Sequence, residues 1–85
     1  MITVAICTFN RRESLRRTLT SLVDLRHENI AWELLIIDNN SSDLTRDVVA
    51  EFAARLPIRY FFESVQGLSA ARNRAIHEFQ GELLL

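Results

Sequence analysis

Residues 32–43 read WELLIIDNNSSD, an almost wholly apolar run that stops at a carboxylate, two carboxamides, two hydroxyls and a second carboxylate. A turn requires one or two short polar side chains, so six in succession need a further cause. The run itself, Trp32 to Asp38, is rich in Leu and Ile without polar alternation, the pattern of a strand covered on both faces of a parallel sheet. Directly after the cluster the period changes. In SSDLTRDVVAEFAARL (41–56), Leu44, Val48, Phe52 and Leu56 recur four apart, predicting a helix with Ser41 or Ser42 as its N-cap.

The same alternation extends in both directions. ITVAICT (2–8) is a short β-branched strand, and NRRESLRRTLTSLVDL (10–25) a helix that buries Leu15, Leu19, Leu22 and Val23 and turns Arg12, Arg16 and Arg17 mostly outward. Asn10, followed three residues later by Glu13, has the form of a capping box and starts that helix near Arg11. Pro57 closes the second helix and IRYFFE (58–63) makes a third strand. GLSAARNRAIHEF (67–79) is a third helix packing Leu68, Ala71, Ala75 and Phe79 under a Ser69 cap, and beyond Gly81 the run ELLL opens a fourth strand. Strands alternating with helices imply right-handed crossovers, hence a three-layer α/β/α domain with a mostly parallel sheet in the order β-α-β-α-β-α-β.

Eighty-five residues make a single domain, residues 1–85, that buries only about 60–65% of its unfolded surface. With 48% hydrophobic and 25% charged residues, the chain is globular and not disordered. A net charge of −1 argues against general nucleic-acid binding and against a membrane-surface role. All ten basic residues are Arg; codon bias explains this as well as any preference for phosphate or carboxylate. Cys7 is the sole cysteine, so no internal disulfide and no thiolate metal site can form, as fits a reducing compartment. The first apolar run is too short for a signal peptide and nothing reaches the length of a membrane span. The expectation is a cytoplasmic protein, with membrane attachment left to parts beyond this chain. Because the sequence stops inside a strand, it reads as the amino-terminal piece of something longer.

In an open parallel sheet, ligands bind beyond the carboxyl ends of the strands. CTFNRR (7–12), DNNSSD (38–43) and ESVQGLSAARN (63–73) all fall there. Capping explains Ser41, Ser42 and Asp43, and turn geometry explains Asn39 and Asn40. Asp38, closing an apolar strand, has the weakest structural explanation and is the leading functional candidate. CTFNRRES contains no Gly, which removes the dinucleotide fingerprint and the P-loop. No nucleophile elbow is present. His27 and His77 lack metal-ligand spacing and read as a loop residue and a helix-surface residue, while Tyr60 to Phe62 read as strand core.

Taken together, the three clusters resemble the amino-terminal half of the family 2 glycosyltransferases. Thr8, Phe9 and Asn10 match its Thr-aromatic-Asn turn; Asp38, Ser41 and Asp43 match an Asp-Asp-Gly-Ser-x-Asp pattern; and Gly67 to Asn73 match a Gly-x-x-x-Ala-Arg-Asn element. The resemblance implies the GT-A fold and a nucleotide-diphosphate sugar as partner, UDP-type favoured. It implies that Cys7, Thr8 and Asn10 border the base and ribose, that Asp38 and Asn39 face the base, and that Arg72 and Asn73 lie toward the diphosphate or hold the nucleotide loop. The second acidic position of the pattern is Asn39 here, and its usual Gly is Asn40. The resemblance further implies a divalent cation, Mn or Mg, held by an Asp-x-Asp element after the fourth strand, and a later carboxylate base for inverting transfer to an acceptor hydroxyl. Neither lies in these residues, so the expectation is no metal ligand, no catalytic residue and no sugar transfer by the 85 residues alone. The competing reading is a non-catalytic α/β ligand-binding or assembly module, although a receiver-type module would need an acidic pair after the first strand and a Lys. A homodimer through the exposed sheet edge, burying ELLL against a symmetric copy, is compatible with either.

Overall fold

The computed structural model describes residues 1–25 and 30–85; His27, read as a loop residue, lies outside them. The elements run β1 (Ile2–Thr8), α1 (Arg12–Asp24), β2 (Trp32–Asp38), α2 (Thr45–Phe52), β3 (Ile58–Phe62), α3 (Leu68–Glu78) and β4 (Leu83–Leu84). The sheet order is β3-β2-β1-β4 and every pairing is parallel. Register aligns Thr8 with Asp38 and Asp38 with Phe62, so the three long strands end on one rim. The first two crossovers carry the chain outward from β1 to β3, and the third returns it to the far side of β1. Right-handed crossovers in opposite directions place their helices on opposite faces. Accordingly Leu15, Leu19, Val48, Val49 and Phe52 from α1 and α2 pack on Leu34 and Ile36, while Ala71 and Ala75 of α3 pack on Leu35 and Ile37. The apolar run of β2 is thereby explained, since Leu34 to Ile37 are all fully buried between the two helical layers.

The helix starts depart from expectation in the capping of α1 and in the position of α2 and α3. α1 begins at Arg12, and neither Asn10 nor Glu13 forms a capping box; Asn10 has φ 49 and its side chain turns to a different loop. α2 begins at Thr45, so Ser41 and Ser42 are not its caps, and Leu44 is exposed, outside the core to which its spacing assigned it. α3 begins after Gly67, whose φ of 133 is open to glycine without strain; Ser69 lies inside the helix and Leu68 is exposed.

Glu33, passed over in the sequence, is a buried carboxylate in the middle of β2. It accepts hydrogen bonds from the Thr3 hydroxyl (2.6 Å), the Gln80 amide (2.8 Å) and the Arg59 guanidinium (3.1 Å). Burial raises its pKa, but these donors outweigh burial and hold it below the usual carboxylate range. The network fixes the α3–β4 connection against β1 and β2. Gly81 completes the approach, because a Cβ there would meet the Met1 carbonyl oxygen at 2.6 Å and Thr3 Oγ1 at 2.7 Å.

Candidate functional site

The six polar residues after Ile37 tie the three rim loops to one another. Toward β1, the Asn10 amide donates to Ser41 Oγ (2.9 Å) and the Ser42 amide donates to Asn10 Oδ1 (2.8 Å). Asp43 reaches both helices: its Oδ2 accepts the Arg12 amide at the start of α1 (3.3 Å), and its Oδ1 accepts the Thr45 amide at the start of α2 (3.0 Å) and the Thr45 hydroxyl. The Thr45 hydroxyl is the main reason that the Asp43 carboxyl titrates below its usual range. Toward β3, the Asn39 side-chain amide donates to the Val65 carbonyl (2.8 Å), and its oxygen accepts the Gly67 amide (2.9 Å). The left-handed backbone at Asn10 and Asn40, φ 49 and 65, is a conformation that Asn tolerates better than other side chains.

Asp38 is also drawn into this framework. Its Oδ1 accepts the Ser41 amide (3.0 Å) and its Oδ2 accepts the Tyr60 hydroxyl from β3. Burial, reinforced by the bond to Asp38, pushes the Tyr60 phenol up to about 12, so the hydroxyl keeps its proton at all physiological pH. Asp38 is buried at the base of the rim and does not line the cleft. Through these two bonds Asp38 braces the second loop against β3 beside the cleft.

That cleft, of about 330 Å³, opens between the ends of β1 and β2 and the start of α3. Cys7, Thr8 and Asn39 form its base, Phe9 and Arg11 one wall, and Gln66 to Leu68 with Ala71 the other. Burial raises the Cys7 thiol's pKa against the opposing effect of Arg72, so the group is a neutral thiol near pH 7. Of the expected site residues, the structure brings Cys7, Thr8 and Asn39 to the cleft, while the Asn10 side chain bonds Ser42 behind it. Arg72 lines an adjoining hollow that shares Cys7, and Asn73, exposed on α3, lines neither. Both ends of the Asn39 side-chain amide hold the β3–α3 loop. Arg11 and Gln66 were marked in the sequence only by their membership of the rim clusters, and Phe9 only as the aromatic of the Thr-aromatic-Asn turn, without a site role.

A hard divalent cation takes several oxygen ligands at once. The cleft offers a thiol, a hydroxyl and a carboxamide beside a guanidinium, and the oxygens of Asp38 and Asp43 are already bonded to protein donors. Among the described residues no group of three or more His, Cys, Asp or Glu side chains could hold a metal ion. These residues do not fit the cation that the resemblance implies.

A parallel sheet whose strand order reverses beside β1, with an open cleft on the carboxyl rim, defines an α/β domain of the class that takes its ligand at that crevice. Within that class the chain belongs to glycosyl transferase family 2, whose sequence profile matches residues 3–85. It is 31% identical over 84 residues to TuaG of Bacillus subtilis, a protein named as a putative teichuronic acid biosynthesis glycosyltransferase, covering 95% of this chain and 32% of TuaG. The crystal structure of S. aureus TarS in complex with UDP-GlcNAc superposes with a TM-score of 0.90 at 23% identity, over 99% of this chain and 25% of that one. Mannosyltransferase PcManGT from Pyrobaculum calidifontis, solved with GDP-Man and Mn²⁺, gives a TM-score of 0.87 at 23% identity, over 98% of this chain and 25% of that one. The fold is thus that of the GT-A glycosyltransferases. The chain spans about a third of the length of TuaG and a quarter of the two solved chains.

Proposed function

We propose that this chain is the nucleotide-binding portion of an inverting glycosyltransferase that moves a sugar from a nucleotide-diphosphate sugar, UDP-type, to an acceptor hydroxyl. The observation that carries this is the character of the cleft. Its charged lining residue is the cation Arg11, the amino end of α3 borders it at Gly67 and Leu68, and no carboxylate is among its lining residues. A helix amino terminus and a guanidinium both favour a diphosphate. Cys7 and Thr8 then border the nucleoside, and Arg72, reached through the hollow shared with Cys7, lies toward the phosphates. Asn10, Asp38 and Asn39 act by fixing the loops, and Asn73 has no place in the cleft. The divalent cation, Mn or Mg, belongs to the larger protein, as PcManGT's Mn²⁺ supports. TuaG and its named pathway support a role in cell-envelope polysaccharide synthesis. The proposed compartment is the cytoplasm; among the described residues no helix is long and apolar enough to cross a membrane.

The test is calorimetric titration of the chain with UDP and UDP-sugars, with and without manganese. The expected result is weak binding that is indifferent to manganese and falls about tenfold or more in Arg11→Ala, as loss of a charge-assisted contact requires. No UDP binding in either protein would sink the proposal and favour the non-catalytic module.

A further inference from the structure

Asn39 stands where the family pattern carries an acid, and its surroundings give that departure a physical cause. The residue is 6% exposed at the end of β2, and its backbone amide is already bonded to the Thr8 carbonyl (2.8 Å). Its side chain faces two different demands at once. Nδ2 must donate, because it meets the Val65 carbonyl at 2.8 Å and the Glu63 carbonyl at 3.4 Å; Oδ1 must accept, because the Gly67 amide points at it from 2.9 Å. A carboxamide meets both demands, whereas an ionised carboxylate accepts only. Aspartate at this position would set a charged oxygen against two carbonyl oxygens and release the loop.

Resting on the nucleotide-binding reading above, we infer that Asn39 is a positioning residue that orders the β3–α3 loop before any ligand arrives, and that its amide is required there. The loop it holds carries Gln66 and Gly67 and leads into Leu68 at the start of α3, and all three line the cleft. Gly67, at φ 133, donates its amide to the Asn39 oxygen, a bond that holds the turn leading into the first turn of α3 beside the cleft. The ionisable neighbours are Cys7 and Arg11 on the cleft lining, Asp38, turned away to Tyr60, and Glu63, whose Oε2 accepts the Val65 amide (2.9 Å). All four are unchanged in an Asn39 variant, and the wild-type protein controls for their titration.

The experiment is amide hydrogen exchange, read residue by residue by NMR on the ligand-free chain and expressed as protection factors, with the β2 amides of Leu34 to Ile37 reporting global opening. In the wild-type protein Gly67 is protected, despite its place on the rim, both at neutral pH and near pH 5. In Asn39→Asp at neutral pH its protection falls about tenfold relative to the β2 amides. Near pH 5 it returns, because burial beside carbonyl oxygens raises the introduced acid's pKa and its protonated form again donates to Val65 while accepting from Gly67. A structural contact that needed only shape would show no such recovery. An unprotected Gly67 in the wild-type protein overturns the inference even if the variant does not fold, and so does undiminished protection in Asn39→Asp. Parallel titration with UDP separates the two readings. An ordered loop with no UDP binding defeats only the nucleotide reading, and a loop that orders only when UDP binds defeats only this one.

Discussion

Asp43→Ala removes the acceptor shared by two helix starts, and its cost can be worked out bond by bond. An N-cap contributes about 1 kcal/mol, within a range of roughly 0.5 to 2. Arg12 is exposed, so water replaces the lost bond to its amide and the loss at α1 sits at the low end. Thr45 is fully buried, so its amide and hydroxyl lose Asp43 with no water to take over, a loss of about 1 to 3 kcal/mol. The sum, about 1.5 to 3.5 kcal/mol, is a large part of the roughly 4 to 13 kcal/mol available to a domain of 85 residues. At about 4 to 8 °C per kcal/mol, the midpoint of thermal unfolding followed by circular dichroism falls by about 6 to 28 °C. The milder Asp43→Asn substitution, which keeps one acceptor oxygen, lowers the midpoint about half as far. The pH dependence follows from the depressed carboxyl of Asp43. A group whose folded pKa lies below its unfolded value stabilises above the unfolded value, near pH 4, and that contribution is lost as pH falls through the folded one. Wild type and Asp43→Ala therefore converge in acid. A midpoint within about 3 °C of wild type at pH 7 would refute the double-cap reasoning.

Glu33→Ala strands the buried Thr3 hydroxyl and Gln80 amide and leaves Arg59 without its carboxylate, so it costs about 3 to 5 kcal/mol by urea unfolding; a loss under about 1 kcal/mol would show the network to be incidental. Gly81→Ala forces a Cβ onto the Met1 carbonyl and Thr3, loosening β4 from β1 at about 1 to 3 kcal/mol, seen as faster exchange of the Leu85 amide that bonds the Thr3 carbonyl; unaltered exchange there counts against the close-approach argument. If two copies pair along β4, size-exclusion chromatography shows a dimer that a Leu83→Lys substitution on this half-exposed strand converts to monomer; a wild-type monomer excludes the pairing.

The alternation of strand and helix was legible because hydrophobic period is local, and the apolar β2 run announced a sheet covered on both faces. The rim was legible as a place for the same reason. What each rim residue does was not, because the partners lie far along the chain. Asn10 and Ser42 are 32 positions apart, Asn39 and Gly67 are 28, and Asp38 and Tyr60 are 22. Asn10 followed by Glu13 fits a local cap equally well on paper, and only the fold shows that the cap comes from Asp43. The partner of Asp38 was equally hidden: Tyr60 is placed beside it by the β2–β3 register.

The ties among the three loops also bear on how such domains diversify. Since Asn10, Ser41, Ser42 and Asp43 join the first loop to the second, and Asn39 joins the second to the third, none of these segments carries its shape alone. A chimera that swaps one segment between relatives inherits mismatched halves of each bond, whereas transplanting all three together moves an intact rim, so recombination here succeeds by triplets.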